Sequence, residues 1–279
     1  MTVRTDLAEE AQALWQQSAG RTTTLSGVKA RQWDAGGIYR QQVQILSAEG
    51  AQTLEKPQGC YDTLWTAQDS RPTDELADEL ARILGQRLSL EQGHSVLVVG
   101  LGNDAMTPDA IGPMSARGLL VTRHLRELMP ELFRSLREVS VLIPGVLGMT
   151  GIESAGIVRS VVRDLKPDRV LVVDALAAGE GSRLCRVIQV TDAGIVPGSG
   201  VGNSRAPLSR KTLGVPVVAV GAATVMDAGT KEEPLLVTHR DVDARVKRLS
   251  SLISAGINRA LFAELTKGEI AQFVGLWGG

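Results

Sequence analysis

The chain has few of the residues that mark most catalytic or cofactor-binding centres. Of 279 residues two are cysteine, Cys60 and Cys185, and three are histidine, His94, His124 and His239. The cysteines stand far apart without metal-ligand spacing, so they read as reduced, inert thiols of a cytoplasmic protein. The histidines form no ligand pattern either, and no metal is expected. Aromatic residues amount to 3%, too few for a platform on which bases stack. The formal net charge of −1 gives no electrostatic ground for binding nucleic acid or an anionic membrane. No apolar run reaches the length of a membrane span, and the opening MTVRTDLAEEAQALWQQ has no apolar signal core. Gly-x-Ser-x-Gly and His-Glu-x-x-His are both missing, which removes the commonest hydrolase chemistries. Carboxylates remain as the acid–base groups.

What the sequence does have is a run from Ser95 to Leu125 with a strand, a turn and a helix in succession. Val96–Gly100 is apolar throughout, as a strand buried on both faces should be. A turn through Gly100, Gly102 and Asn103 follows. Pro108 then suits the first turn of a helix, and Ile111, Met114, Gly118, Val121 and Leu125 recur on one face. Asp109 stands at the start of that helix. A second apolar run, Arg169–Ala178, reads as a strand that ends in a carboxylate, Asp174. If both strands lie in one parallel sheet, Asp109 and Asp174 emerge at the same edge, where open α/β sheets keep their sites. Such a pair can divide acid and base roles by sharing a proton.

The remaining pattern surrounds this core. Asp6 is expected to cap a first helix to Gln17. Gly27–Leu46 reads as a hairpin turning at Asp34–Gly37, with a further strand at Tyr61–Trp65. A helix from about Thr73 buries Leu76, Leu80, Ile83, Leu84 and Leu88. Val139–Ile143 is a strand, and Thr150 with Glu153 predicts a capping box opening the next helix. Arg183–Val190 and Val215–Gly221 are strands, Asp227–Pro234 a loop, and Val242–Ala260 the last long helix. The expected fold is α/β: a doubly wound, mainly parallel sheet with helices on both faces, preceded by an N-terminal β-hairpin region, phosphorylase/hydrolase-like. Its core spans 95–265 and the hairpin subregion 21–66.

Gly100-x-Gly102-x-x-Ala105 formally matches a dinucleotide fingerprint, but Thr107-Pro108 interrupts the phosphate-binding helix. The next strand ends in Ile143-Pro144-Gly145, with no acid for a ribose. No cofactor is expected. Asp104 is a second-rank site candidate that reads as solvent-facing.

Seven blocks in one order resemble the germination proteases of spore-forming bacteria. They are VRTDLA (Val3–Ala8), VVGLGN with TPDA-x-GP (Val98–Asn103, Thr107–Pro113), LLVTRHL (Leu119–Leu125), PGV-x-GMTGIE (Pro144–Glu153), DALAA (Asp174–Ala178), PGSGVGN (Pro197–Asn203) and LG-x-PV-x-A-x-G (Leu213–Gly221). The resemblance covers nearly the whole chain and implies a single peptidase domain, 1–279, related in fold to the hydrogenase maturation proteases. It implies an endopeptidase of the spore core that degrades small acid-soluble spore proteins during germination. It further implies a self-processing zymogen and a homo-oligomer, a tetramer by resemblance. The family's two essential aspartates fall on Asp109 and Asp174, an unusual aspartic-type pair. Self-cleavage between Asp6 and Leu7 would make residues 1–6 a short propeptide, itself a mimic of substrate. Gly102, Asn103, Gly148 and Gly200, in the glycine-bearing turns, are candidate oxyanion and substrate contacts. Family members are longer, and an insertion is missing after Ala228. The alternatives are a maturation-type, metal-dependent peptidase with another protein substrate, and a relative that binds spore protein without cutting it.

Overall fold

The structure, a computed structural model, describes residues 4–19, 25–66, 73–199, 205–229 and 235–277. The strands in chain order are β1 Val28–Ala35, β2 Ile38–Ile45, β3 Gly59–Trp65, β4 Val96–Gly100 and β5 Val139–Leu142. They continue with β6 Arg169–Ala178, β7 Val187–Thr191, β8 Val217–Asp227 and β9 Leu236–Val237. Among the described residues they form one sheet in the order β1-β2-β3-β7-β8-β6-β4-β5, with β9 paired to the end of β8.

The expected parallel core is β5-β4-β6-β8. The sheet as a whole is mixed rather than mainly parallel, because β7 returns antiparallel to β8. The N-terminal hairpin does not stand apart. Through β3 it joins β7 and extends the same sheet.

Helices cover both faces, as parallel strands require. One face packs against Thr73–Leu88, Ile111–Arg117 and Val242–Leu261, through Leu80, Leu84, Ile111, Leu252 and Ile257. The other packs against Ser154–Leu165 through Ala155, Val158 and Val162. Every residue of β4 is buried, so its five apolar positions serve both faces at once. A fully buried Val or Leu side chain is worth about 1.5–3 kcal/mol. At the far end of the second face, Leu7 joins Leu176, Ala178, Val187 and Ala223 in a small separate cluster.

Several local expectations fail for identifiable reasons. The helix predicted from Pro108 to Leu125 is three pieces: a 3₁₀ turn at Thr107–Asp109, a helix at Ile111–Arg117 and another at Arg123–Leu128. The break at Gly118–Leu120 is satisfied from outside, because Asn258 accepts from Leu120 N–H and donates to the Gly118 carbonyl. The Thr150–Glu153 capping box is absent. Thr150 accepts from Ile152 N–H instead, and the helix starts at Ser154 without a side-chain cap. Asp6 does not cap Ala8–Ala19; its carboxylate is taken by β6. Helices Ala48–Leu54 and Lys267–Trp277 and strand β9 were not legible as such. The expected loop Asp227–Pro234 begins as the end of β8, and its residues 230–234 lie outside the described ones.

Candidate active site

The site grows from the difference in length between β4 and its neighbours. β4 stops at Gly100, paired with Val173, while β6 and β8 continue beyond it. Asp174 is therefore not at the end of its own strand, as expected, but inside β6. It is the first β6 residue past the carboxyl end of β4. Leu101 N–H still reaches the Val173 carbonyl at 2.8 Å, and the chain then turns away. The turn is closed by Asp109, whose Oδ2 accepts from Asn103 N–H at 2.8 Å. Thr224 on β8 clamps the same turn by donating to the Pro108 carbonyl at 2.6 Å.

Gly102 makes this approach possible. Its φ is +118°, and a Cβ there would lie 2.0 Å from the Asp109 carbonyl oxygen and 3.3 Å from Asp109 Oδ1. No L side chain fits that space. The glycine turn thus seats a carboxylate, Asp109.

Asp174 is 6% exposed, and its visible hydrogen-bond partner is Ala175 N–H at 2.9 Å. Burial raises its carboxyl pKa well above the usual carboxylate range, and the nearby charges of Asp109 and Asp6 raise it further. Burial also raises Asp109, against the Asn103 N–H, which favours its anion. The charges of Asp109 and Asp6 thus both act on the buried Asp174.

Asp6 is brought there by a backbone docking of the N-terminal segment. Asp6 N–H donates to the Ala177 carbonyl at 2.8 Å, and Ala177 N–H donates to Asp6 Oδ2 at 2.9 Å. Ser199 Oγ donates to Asp6 Oδ1 at 2.6 Å. Upstream, Lys56 Nζ donates to the Thr5 carbonyl at 2.7 Å, and burial lowers its pKa. Downstream, Leu7 is fully buried in the Leu176–Ala223 cluster, and Arg183 binds Glu9 at 2.7 Å. A groove of about 1300 Å³ runs alongside, lined by Asp6, Trp15, Lys56, Gln189, Ser199 and Gly221 among others.

The other candidates are placed as follows. Asn103 spends its N–H on Asp109, and its side chain accepts from Ala105 N–H. Gly148 lies exposed in the one-turn helix Leu147–Thr150, with open space where a Cβ would be. Gly200 lies outside the described residues. Asp104 faces solvent, paired with Arg117. His124 is exposed, while His94 and His239 each accept a local backbone N–H. Cys60 and Cys185 are buried, and burial pushes the Cys60 thiol up to about 11. Among the described residues no three His, Cys, Asp or Glu side chains are grouped to hold a metal ion. No helix there is long and apolar enough to cross a membrane. Sequence reasoning missed Lys56, Arg183, Gln189 and Ser199. The one legible signal was Gln189, a polar residue inside the apolar strand Val187–Thr191.

A family model described as germination protease matches residues 4–233. The germination protease of Clostridium tetani is 36% identical over 325 aligned positions, which cover 98% of this chain and 100% of that protein. That alignment exceeds the 279 residues of this chain, so the relative holds segments absent here. The germination protease of Bacillus subtilis is 44% identical, over 96% of this chain and 76% of the relative. A solved NiFe hydrogenase maturation protease from Thermococcus kodakarensis aligns with a TM-score of 0.38 and 22% identity, over 63% of this chain and 99% of that one.

Proposed function

The chain belongs to the germination protease family, and on that premise we propose that it is an endopeptidase of small acid-soluble spore proteins working through Asp109 and Asp174. The observation that carries the mechanism is the burial of Asp174 beside Asp109. Two close like charges do not both ionise, so the pair holds one proton. Asp174, the more buried, keeps it. Asp109, with Asn103 N–H supporting its anion, is the base that takes a proton from water. The water oxygen adds to the scissile carbonyl carbon, and Asp174 protonates the departing amide nitrogen.

The docked segment Thr5–Glu10 supports the zymogen reading. It offers an acid and then an apolar residue: the Asp6 charge acts on Asp174, and Leu7 is buried against β6, β7 and β8. While seated it occupies the place of a substrate, and its cleavage between Asp6 and Leu7 frees that place.

Incubation with a purified small acid-soluble spore protein, read by mass spectrometry, tests the activity. Cuts after acidic residues are expected from the wild-type chain. Asp109→Asn should be slower by about 10²–10⁴-fold with an unchanged circular dichroism spectrum, the range of a lost general base. Equal rates would remove Asp109 from the mechanism.

A further inference from the structure

We infer that Gln189 is a catalytic residue, the side chain that holds the peptide group to be cut and stabilises the oxyanion formed on it. The inference rests on the reading above, with Asp6–Leu7 as the scissile bond. Gln189 Nε2 donates to the Asp6 carbonyl oxygen at 3.1 Å, and Ala8 N–H donates to Gln189 Oε1 at 2.8 Å. One primary amide thus grips the chain on both sides of Leu7. The carbonyl it grips is the one that attack on the Asp6–Leu7 bond would turn into an oxyanion.

The sheet register explains why this residue is in reach. Gln189 on β7 pairs with Gly221 on β8, and Gly221 pairs with Asp174 on β6. The three stand in one row, and residues opposite each other across a sheet point to the same face. Their neighbours agree: Val187, Ala223 and Leu176, each two residues along, share one cluster on that face. Gly221, in the middle, has no side chain. A Cβ there would lie 2.7 Å from the Asp174 carbonyl oxygen and from Leu176 Cγ. Gln189 and Asp174 therefore project from the same face, separated by two strand spacings, roughly 10 Å between Cα atoms. The gap is wide enough for a peptide, and the N-terminal segment binds at both its sides, at Ala177 and at Gln189. Gln189 is only 5% exposed, so its amide works in a dry place, where a fixed donor counts most.

In the reaction, the water oxygen bonds to the Asp6 carbonyl carbon as Asp109 takes one water proton. The C=O electron pair moves onto the oxygen, towards Gln189 Nε2–H. When the C–N bond breaks, that pair re-forms the carbonyl, and the Leu7 nitrogen leaves with the proton from Asp174. Donor loss at such a position costs about 10²–10³-fold in rate.

The test is the first-order rate at which the full chain acquires a new N-terminus at Leu7, read by intact mass across pH. Gln189→Glu keeps an acceptor for Ala8 N–H but loses the donor. Near neutral pH it should cut about a hundredfold more slowly than wild type. The ratio to wild type should recover on acidification, as the new carboxyl gains an O–H to donate, which loss of a structural contact would not produce. Gln189→Leu should show the fall without the recovery. If the Glu variant does not fold, by circular dichroism, the Leu variant carries the test alone. Wild-type rates in the folded variants would overturn the inference and leave the cleavage reading intact. A wild-type chain that cuts spore protein but never at Asp6–Leu7 would overturn it through the bond. A wild-type chain that cuts neither would overturn the cleavage reading itself.

Discussion

Asp174 holds a proton in the folded chain that an unfolded aspartate, titrating near about 3.9, has already released, and burial shifts Asp109 in the same direction. The stability this protonation contributes is full below about pH 4 and is lost as pH rises through the folded values. Asp174→Asn stays neutral and escapes that loss. It should melt at a higher temperature than wild type at pH 7, and the difference should close below about pH 4. An unchanged melting temperature at pH 7 would mean that the carboxyl is not held at a cost. The same two titrations should bound activity, giving a bell-shaped profile whose apparent values belong to the pair. Gly102→Ala has both a forbidden φ and a 2.0 Å clash with the Asp109 carbonyl. It should lower stability by about 1–3 kcal/mol in denaturant titration and displace Asp109, with loss of cleavage. At this scale the placement of Asp109 and Asp174 just past the carboxyl end of β4 was legible from the apolar runs beside them, although each alone also reads as a capping residue, and their catalytic roles are the proposal above. Gln189, Lys56 and Ser199 were not, because their role comes from an N-terminal segment arriving from 50 or more residues away.

The helix after Asp109 is broken where its apolar spacing implies continuity, and a side chain from another helix holds the break. That side chain is Asn258: from inside Val242–Leu261 it satisfies Leu120 N–H at 3.0 Å and the Gly118 carbonyl at 2.9 Å. Asn258→Ala leaves both groups without that partner in a buried place. The denaturation midpoint should fall by the equivalent of about 1–3 kcal/mol with little change in slope. A shift within experimental error would mean that water replaces the amide. Strand positions were legible, since β4, β6 and β8 are buried on both faces and read as mostly apolar runs. Helix breaks were not, since Gly118 and Thr150 take their partners from elsewhere in the fold or from non-helical turns.

Over the whole molecule, the parallel half of the sheet carries Asp174 and leads into the turn of Asp109, and the antiparallel half carries Gln189, which binds the N-terminal segment. β8 joins the halves, parallel to β6 on one side and antiparallel to β7 on the other. An alternation of strands and helices announces a parallel core, but it does not say that a hairpin will join the same sheet. That joining is decided by β3 pairing with β7, whose residues Tyr61–Trp65 meet Val187–Thr191 far along the chain. The central claim is that this arrangement cuts peptides with Asp109 and Asp174, and first its own chain after Asp6. The most direct measurement is the intact mass of the purified chain during incubation at mildly acidic pH, with Asp109→Asn and Asp174→Asn alongside. The account predicts a new N-terminus at Leu7 in the wild type and in neither variant. Cleavage there in both variants, at the wild-type rate, would contradict it.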